Sequence, residues 1–181
     1  MTTPTFSLPV PIKLGKKIIS KFAEDMTQSL GFEIGSDLEV IVAKLGGKIQ
    51  YQDIWELDSS ESGSIVIESK NKFEITLAAH TSKARDRFTI AHELGHYFLH
   101  YRLPERAGKS VGSLRAARYG FDLAEMEANW FAASFLMPEQ KYREIFSQLG
   151  GSQFEIAEHF GVSVSASRVR ARSLGLIENR V

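Results

Sequence analysis

Apolar residues in this 181-residue chain first recur at helical spacing and then at strand-like spacing. From Lys16 to about Leu30 they return every three or four positions, which predicts an amphipathic helix that ends at Gly31. A second helix is predicted over residues 37–45, because Asp37 is a good N-cap residue and two glycines follow Leu45.

Three strand candidates follow these helices, namely KIQYQDI, GSIVIES and KFEITLA. The last two are rich in β-branched and apolar residues, and the SKNK sequence between them suits a hairpin turn. With the helices before and after them, these strands predict an α+β fold with a small sheet.

The second half of the chain is predicted to be helical. One helix is expected from Ser82 to about Tyr101, another from Asp122 to just before Pro138, and a third over residues 139–149. The stretch 102–120 predicts a loop with several basic residues. This loop is either a substrate-docking element or an ordinary connector, and the sequence does not decide between them.

The composition removes several classes of function. Lys and Arg total 22 against 22 Asp and Glu, so no overall charge indicates nucleic acid as a partner. The absence of cysteine excludes disulfides and thiolate metal sites, and any metal must therefore use His, Asp or Glu. No apolar run approaches the roughly 20 residues of a membrane span, and no signal peptide is evident, so we expect no membrane partner and a cytoplasmic protein.

The strongest chemical signal is HELGH, residues 92–96. Residues four apart on a helix lie one above the other, so His92 and His96 direct two imidazoles at one metal ion. Glu93 lies beside His92 on the polar face, where it can take a proton from a water molecule. The alternative, ordinary polar or core histidines, is disfavoured because the opposite face of the predicted helix is apolar.

A catalytic zinc site needs a third protein ligand. His100 is excluded because it lies about 12 Å along the helix from His92, at roughly 1.5 Å per residue. The next helix offers Asp122, Glu125 and Glu127. Helical periodicity does not choose between the last two, because they flank the apolar face on opposite sides.

Two segments together resemble a known family. RFTIAHELGHYFLH, followed by EMEANWFAASFLMP, is similar to the ImmA/IrrE family of zinc metallopeptidases over residues 87–138. The resemblance implies a compact zincin-like domain with one Zn²⁺ per chain. It implies Glu125 as the third ligand, with Glu127 as the alternative, and Asn129 as the residue that supports a ligand histidine.

The resemblance also implies an activity, a zinc-dependent endopeptidase in which Glu93 serves as the general base. The oxyanion stabiliser stays open among His100, Tyr119 and Tyr142. The implied substrate is a helix-turn-helix repressor or antitoxin-like protein whose cleavage relieves repression. The rival hypothesis is a non-catalytic DNA- or protein-binding regulator with a structural zinc, but such a site needs no base like Glu93.

The expected division of the chain is an extended or disordered N-terminus (1–15), a zincin-like domain (16–150) and a helical module (151–181). In the module, Ser152 and Glu155 form a predicted capping box, and Gly161 suits a helix-turn-helix turn. The second helix carries the candidate substrate or nucleic-acid contacts, which are Arg168, Arg170 and Arg172. Their alternate spacing spreads them around the helix, which favours packing or protein recognition over DNA binding.

Overall fold

The computed structural model describes residues 5–53, 63–117 and 122–178. Its four-stranded sheet has the order β1-β3-β2-β4, with β1 parallel to β3 and the other neighbours antiparallel. The strands are β1 Gly47–Gln52, β2 Gly63–Ser69, β3 Lys72–Ala78 and β4 Leu114–Ala117. The sheet and its surrounding helices confirm a mixed α+β architecture.

The helices account for most of the remaining chain. In chain order they are α1 Lys16–Ser29, α2 Leu38–Lys44, α3 Lys83–Gly95, a π-helical segment His96–Arg102, α4 Leu103–Arg106, α5 Leu123–Leu136, α6 Glu139–Gln148, α7 Gln153–Phe160 and α8 Val164–Ser173. Helical structure therefore continues from α3 past the predicted end near Tyr101. Among the described residues, no helix is both long and apolar enough to cross a bilayer.

The β2–β3 hairpin forms as its residue pattern predicts. Ser69 pairs with Lys72 across the turn. The hairpin's inward side chains are fully buried isoleucines and a leucine, which fill one face of the sheet: Ile65, Ile67, Ile75 and Leu77. Strands of β-branched residues are stable where one face is covered, and here the helices cover it.

Strand β4 lies in the stretch that the sequence predicts as a loop, so that prediction is wrong over residues 114–117. Its sequence, LRAA, has no β-branched residue. The strand exists because β2 offers it a partner, with pairs from Ser64–Ala117 to Ile67–Leu114. Pairing between distant segments thus overrides a weak local preference.

The N-terminal segment (residues 5–15) is held by the domain. Ser7 pairs in parallel with Leu114 at the free edge of β4. Further along, the backbone N–H groups of Ile12 and Lys13 donate to the carboxylate of Glu127 at 3.0 and 2.7 Å. These bonds join the described part of the segment to β4 and α5. The prediction of an extended or disordered N-terminus over residues 1–15 stays a prediction.

Helices α3 and α5 approach each other closely at Gly95. A Cβ atom at this position would lie 3.1 Å from both the Cα and the carbonyl oxygen of Ala128. Glycine therefore permits a helix separation that a larger residue would increase. The close contact fixes the residues on α3 relative to those on α5.

The C-terminal helices pack on the rest of the domain through buried polar groups. Arg170 is only 3% exposed and donates to the carbonyl of Met137 at 2.9 Å and to Ser134 at 3.1 Å. Ser163 caps α8 by accepting a hydrogen bond from the N–H of Ala166. The predicted cap at Ser152 is wrong, because its side chain makes no capping bond. The division at residue 150 stays a prediction.

Candidate metal centre

The two histidines of the HELGH sequence lie on the buried side of the α3 helix and its π-helical continuation. His92 and His96 are each 1% exposed, and their Nε2 atoms are 3.2 Å apart. The i, i+4 spacing on one helix face produces this approach, as expected from the sequence.

Glu125 reaches the same point from α5. Its Oε2 lies 3.1 Å from Nε2 of His92, and its Oε1 lies 3.1 Å from Nε2 of His96. Asp122 fixes the start of α5 by accepting a hydrogen bond from the N–H of Glu125 at 2.9 Å. A predicted helix cap thereby places the third side chain of the site.

These three side chains fit a zinc ion. Their ligand atoms lie within 4.8 Å of one another. Tetrahedral zinc with bonds of about 2.0–2.1 Å separates its ligand atoms by about 3.3–3.4 Å, close to the distances above. Two histidines and a glutamate are also the donor set of catalytic zinc sites that keep a fourth position for water or substrate.

Asn129 determines which nitrogen of His92 faces the site. Its Oδ1 lies 2.9 Å from Nδ1 of His92 and accepts the hydrogen of that nitrogen. The lone pair of Nε2 is then free to bind a cation. Asn129 lies one helical turn beyond Glu125, so α5 supplies both a candidate ligand and the support of another.

The ionisation states also suit a metal. Burial lowers the pKa of His96, which keeps this imidazole neutral at neutral pH. Burial opposes ionisation of Glu125, but the adjacent imidazoles of His92 and His96 lower the pKa of Glu125 well below its ordinary value. Neutral imidazoles and a carboxylate are the forms that bind zinc.

Glu93 follows His92 on α3 and is buried, with 1% of its surface exposed. It lies against the start of β2, where a Cβ atom added to Gly63 would be 3.5 Å from Glu93 Oε1. The same added atom would be 2.3 Å from Cγ2 of Thr89. Gly63 therefore leaves room for the α3 side chains next to the site, a role that sequence reasoning did not find.

Glu127 lies elsewhere in the structure. Its Oε2 is 2.9 Å from Nε2 of His100, and its side chain is fully buried. The structure brings Glu125, rather than Glu127, to the histidine pair. Burial is the main cause that lowers the pKa of His100 to about 4, and the electrostatic effect of His96 acts in the same direction. The His100 ring is therefore neutral at neutral pH.

Two of the three candidate oxyanion stabilisers are in the wrong place. The ring nitrogens of His100 are bonded to His96 and Glu127, so no ring N–H is left for a substrate. Tyr142 is fully buried, and its hydroxyl is 2.7 Å from Ser167 Oγ in the C-terminal helices. Tyr119 lies outside the described residues.

The candidate arginines of α8 also separate into two groups. Arg168 and Arg172 are exposed, one helical turn apart. Arg170 is buried, and the ion pair of its guanidinium with Glu24 at 3.3 Å adds to its bonds within the domain. The prediction that Arg170 contacts a substrate or nucleic acid is therefore wrong.

Two histidines on one helix and a glutamate on a later helix define a candidate metallopeptidase centre. Residues 56–172 match the profile of the M78 peptidase family, described as the IrrE N-terminal-like domain. The match covers more than half of the chain, which therefore belongs to the ImmA/IrrE family, as the sequence resemblance predicts.

Individual relatives are more distant. The chain is 27% identical over 134 residues to metallopeptidase ImmA of Bacillus subtilis (strain 168). The aligned region covers 74% of this chain and 76% of the relative. A Mycobacterium tuberculosis transcriptional regulator of solved structure shares the fold, with a TM-score of 0.55 and 18% identity. That match covers 83% of this chain but 45% of the regulator, so this chain spans less than half of its length.

Proposed function

We propose that the chain is a zinc-dependent endopeptidase that hydrolyses a peptide bond in a protein substrate. The observation that carries this proposal is the convergence of His92, His96 and Glu125 within 4.8 Å, beside the buried carboxylate of Glu93. Membership of a peptidase family and similarity to a metallopeptidase support the same activity.

The proposed mechanism assigns one task to each residue. His92, His96 and Glu125 would hold the zinc, which when bound would polarise the scissile carbonyl and make a water molecule more acidic. Glu93 accepts one proton of this water as its oxygen adds to the carbonyl carbon. When the C–N bond breaks, Glu93 delivers the proton to the leaving amine, and the carboxylate is regenerated.

The proposed substrate is a helix-turn-helix repressor or antitoxin-like protein, and its cleavage relieves repression. The family resemblance supports this class. The mycobacterial neighbour, which has a related fold, is itself named a transcriptional regulator. The exposed Arg168 and Arg172 are available for a protein contact, whereas Arg170 is not.

The test compares wild type with Glu93→Gln on a library of fluorescence-quenched peptides, with zinc content measured in parallel. We expect the variant to keep one zinc per chain and to lose about 10²–10⁴-fold in cleavage rate, the usual contribution of a general base. The matched control is Glu158→Gln on the exposed side of α7, which should cleave like wild type.

Two results would contradict the proposal: zinc-loaded wild type that cleaves no peptide, or a Glu93→Gln variant as active as wild type. The second result would favour the rival hypothesis of a non-catalytic regulator with a structural zinc. Burial of a carboxylate beside the ligand histidines argues for the peptidase, because a structural site needs ligands only.

A further inference from the structure

A chain of hydrogen bonds runs from His96, on the side away from the ligand atoms, to the N-terminal segment. It passes through His100 and ends on Glu127 and two backbone N–H groups. We propose that His100 and Glu127 are positioning residues that hold the His96 ring with Nε2 toward the metal and tie the N-terminal segment to the site. This inference rests on the proposed zinc site.

His96 and His100 contact each other directly through their rings. Nδ1 of His96 lies 3.0 Å from Nδ1 of His100. Because Nε2 of His96 faces the ligand group, the ring hydrogen of His96 lies on Nδ1 and is donated to His100. The Nδ1 atom of His100 is therefore an acceptor, and its own hydrogen must lie on Nε2.

Glu127 satisfies this hydrogen. Its Oε2 accepts from Nε2 of His100 at 2.9 Å and from the N–H of Ile12 at 3.0 Å. Its Oε1 accepts from the N–H of Lys13 at 2.7 Å. An ionised carboxylate only accepts, and all three neighbours here donate, so each hydrogen in the chain has one consistent place.

Burial makes this arrangement specific. Glu127 is fully buried and His100 is 2% exposed, so bulk water has little access to either side chain and a lost partner leaves a buried polar group unsatisfied. By contrast, the first ligand histidine is supported by Asn129, an exposed side chain. The two ligand histidines are therefore held in different ways, one from α5 directly and one through a buried carboxylate that also anchors residues 12 and 13.

The test measures the zinc dissociation constant of the full chain by competition with a chelator, for wild type and four variants. His100→Phe removes the acceptor for His96 and should weaken zinc binding by about 10–100-fold, as loss of such supporting contacts typically does. His100→Asn keeps a short side-chain acceptor near Nδ1 of His96 and should recover part of that loss. The control is His80→Phe at an exposed position, which should bind zinc like wild type.

Glu127→Gln tests the other end of the chain. Whichever way its amide is turned, its NH₂ group must face at least one N–H donor, because both oxygens of Glu127 accept. We expect faster amide hydrogen exchange at Ile12 or Lys13 in this variant, together with weaker zinc binding than in wild type. Circular dichroism identifies any variant that has simply unfolded.

The outcomes separate this inference from the proposed function. Wild type without zinc would overturn both. Zinc binding by wild type with unchanged dissociation constants in His100→Phe and Glu127→Gln would overturn only the positioning role. A loss in His100→Phe that His100→Asn does not recover would also overturn it, because a general packing defect is then the cause.

Discussion

The metal centre and the C-terminal helices both bury polar side chains, but they use them differently. In the C-terminal helices, Arg170 donates to Met137, Ser134 and Glu24, so every contact joins a donor to an acceptor within the domain. In the candidate metal centre, the side chains of His92, His96 and Glu125 approach one another, with 3.1–3.2 Å between the Nε2 atoms and between each Nε2 and one carboxylate oxygen. Burial of a charged group alone therefore does not distinguish a candidate metal site from a structural contact, whereas the convergence of several potential ligand atoms does.

This difference predicts that the two regions respond to mutation in separable ways. A buried hydrogen-bonded cation stabilises the fold only while its partners remain, and its loss leaves acceptors without donors. A convergent ligand set contributes mainly when an ion is bound. Stability and zinc binding should therefore change independently.

The largest expected effect on stability comes from Arg170→Met. The substitution keeps much of the side-chain volume but leaves the Met137 carbonyl and Ser134 without their donor. We expect the free energy of unfolding of the zinc-free protein to fall by about 2–4 kcal/mol in urea denaturation, with one zinc per chain still bound by the folded variant.

The matched control for this variant is Arg168→Met, the same change at an exposed position of α8. Exposed substitutions usually change stability little, so its urea midpoint should stay near that of wild type. Equal destabilisation by both variants would contradict the structural role of Arg170. Loss of zinc in folded Arg170→Met would contradict the separation of the two regions.

A smaller effect on stability, but a direct one on the metal centre, is expected from Gly95→Val. The added side chain meets the backbone of Ala128, so α3 and α5 must move apart. Overpacking of this kind costs about 1–3 kcal/mol. His92 belongs to α3 and Glu125 belongs to α5, so a larger separation of the two helices moves these side chains apart. We therefore also expect weaker zinc binding, measured by chelator competition.

Gly112→Val provides the control, because a Cβ at Gly112 meets no atom within 4 Å. It should bind zinc like wild type. If Gly95→Val binds zinc as tightly as Gly112→Val, close helix packing does not set the ligand geometry, and the comparison between the two regions must be revised.

The parts of the molecule that sequence predicts well depend on neighbours along the chain. The i, i+4 spacing of His92 and His96 and the Asp122 cap operate within one or two helical turns, and the structure contains both. The family resemblance, rather than periodicity, selected Glu125 over Glu127. Periodicity failed there because both glutamates lie on buried sides of α5, one facing α3 and one facing the N-terminal segment.

The parts that sequence missed depend on distant partners. Strand β4 requires β2, and the backbone of the N-terminal segment bonds to Glu127, more than 110 residues away. Arg170 is a further example. The alternate spacing of Arg168, Arg170 and Arg172 predicts that the three side chains point in different directions around α8. It does not predict which of them is buried against the rest of the protein. One part of the His100–Glu127 contact was predictable from the sequence. His100 lies one helical turn beyond His96, so the two rings were expected to lie on the same side of the helix.

The central claim is that His92, His96 and Glu125 bind zinc, and metal content tests it most directly. Elemental analysis of wild type, Glu125→Ala and Glu127→Ala, after zinc addition and removal of excess, should give one zinc per chain for wild type and almost none for Glu125→Ala. Glu127→Ala should still bind one zinc when saturated, although less tightly. Wild type without zinc, or loss of zinc in Glu127→Ala with retention in Glu125→Ala, would contradict the account.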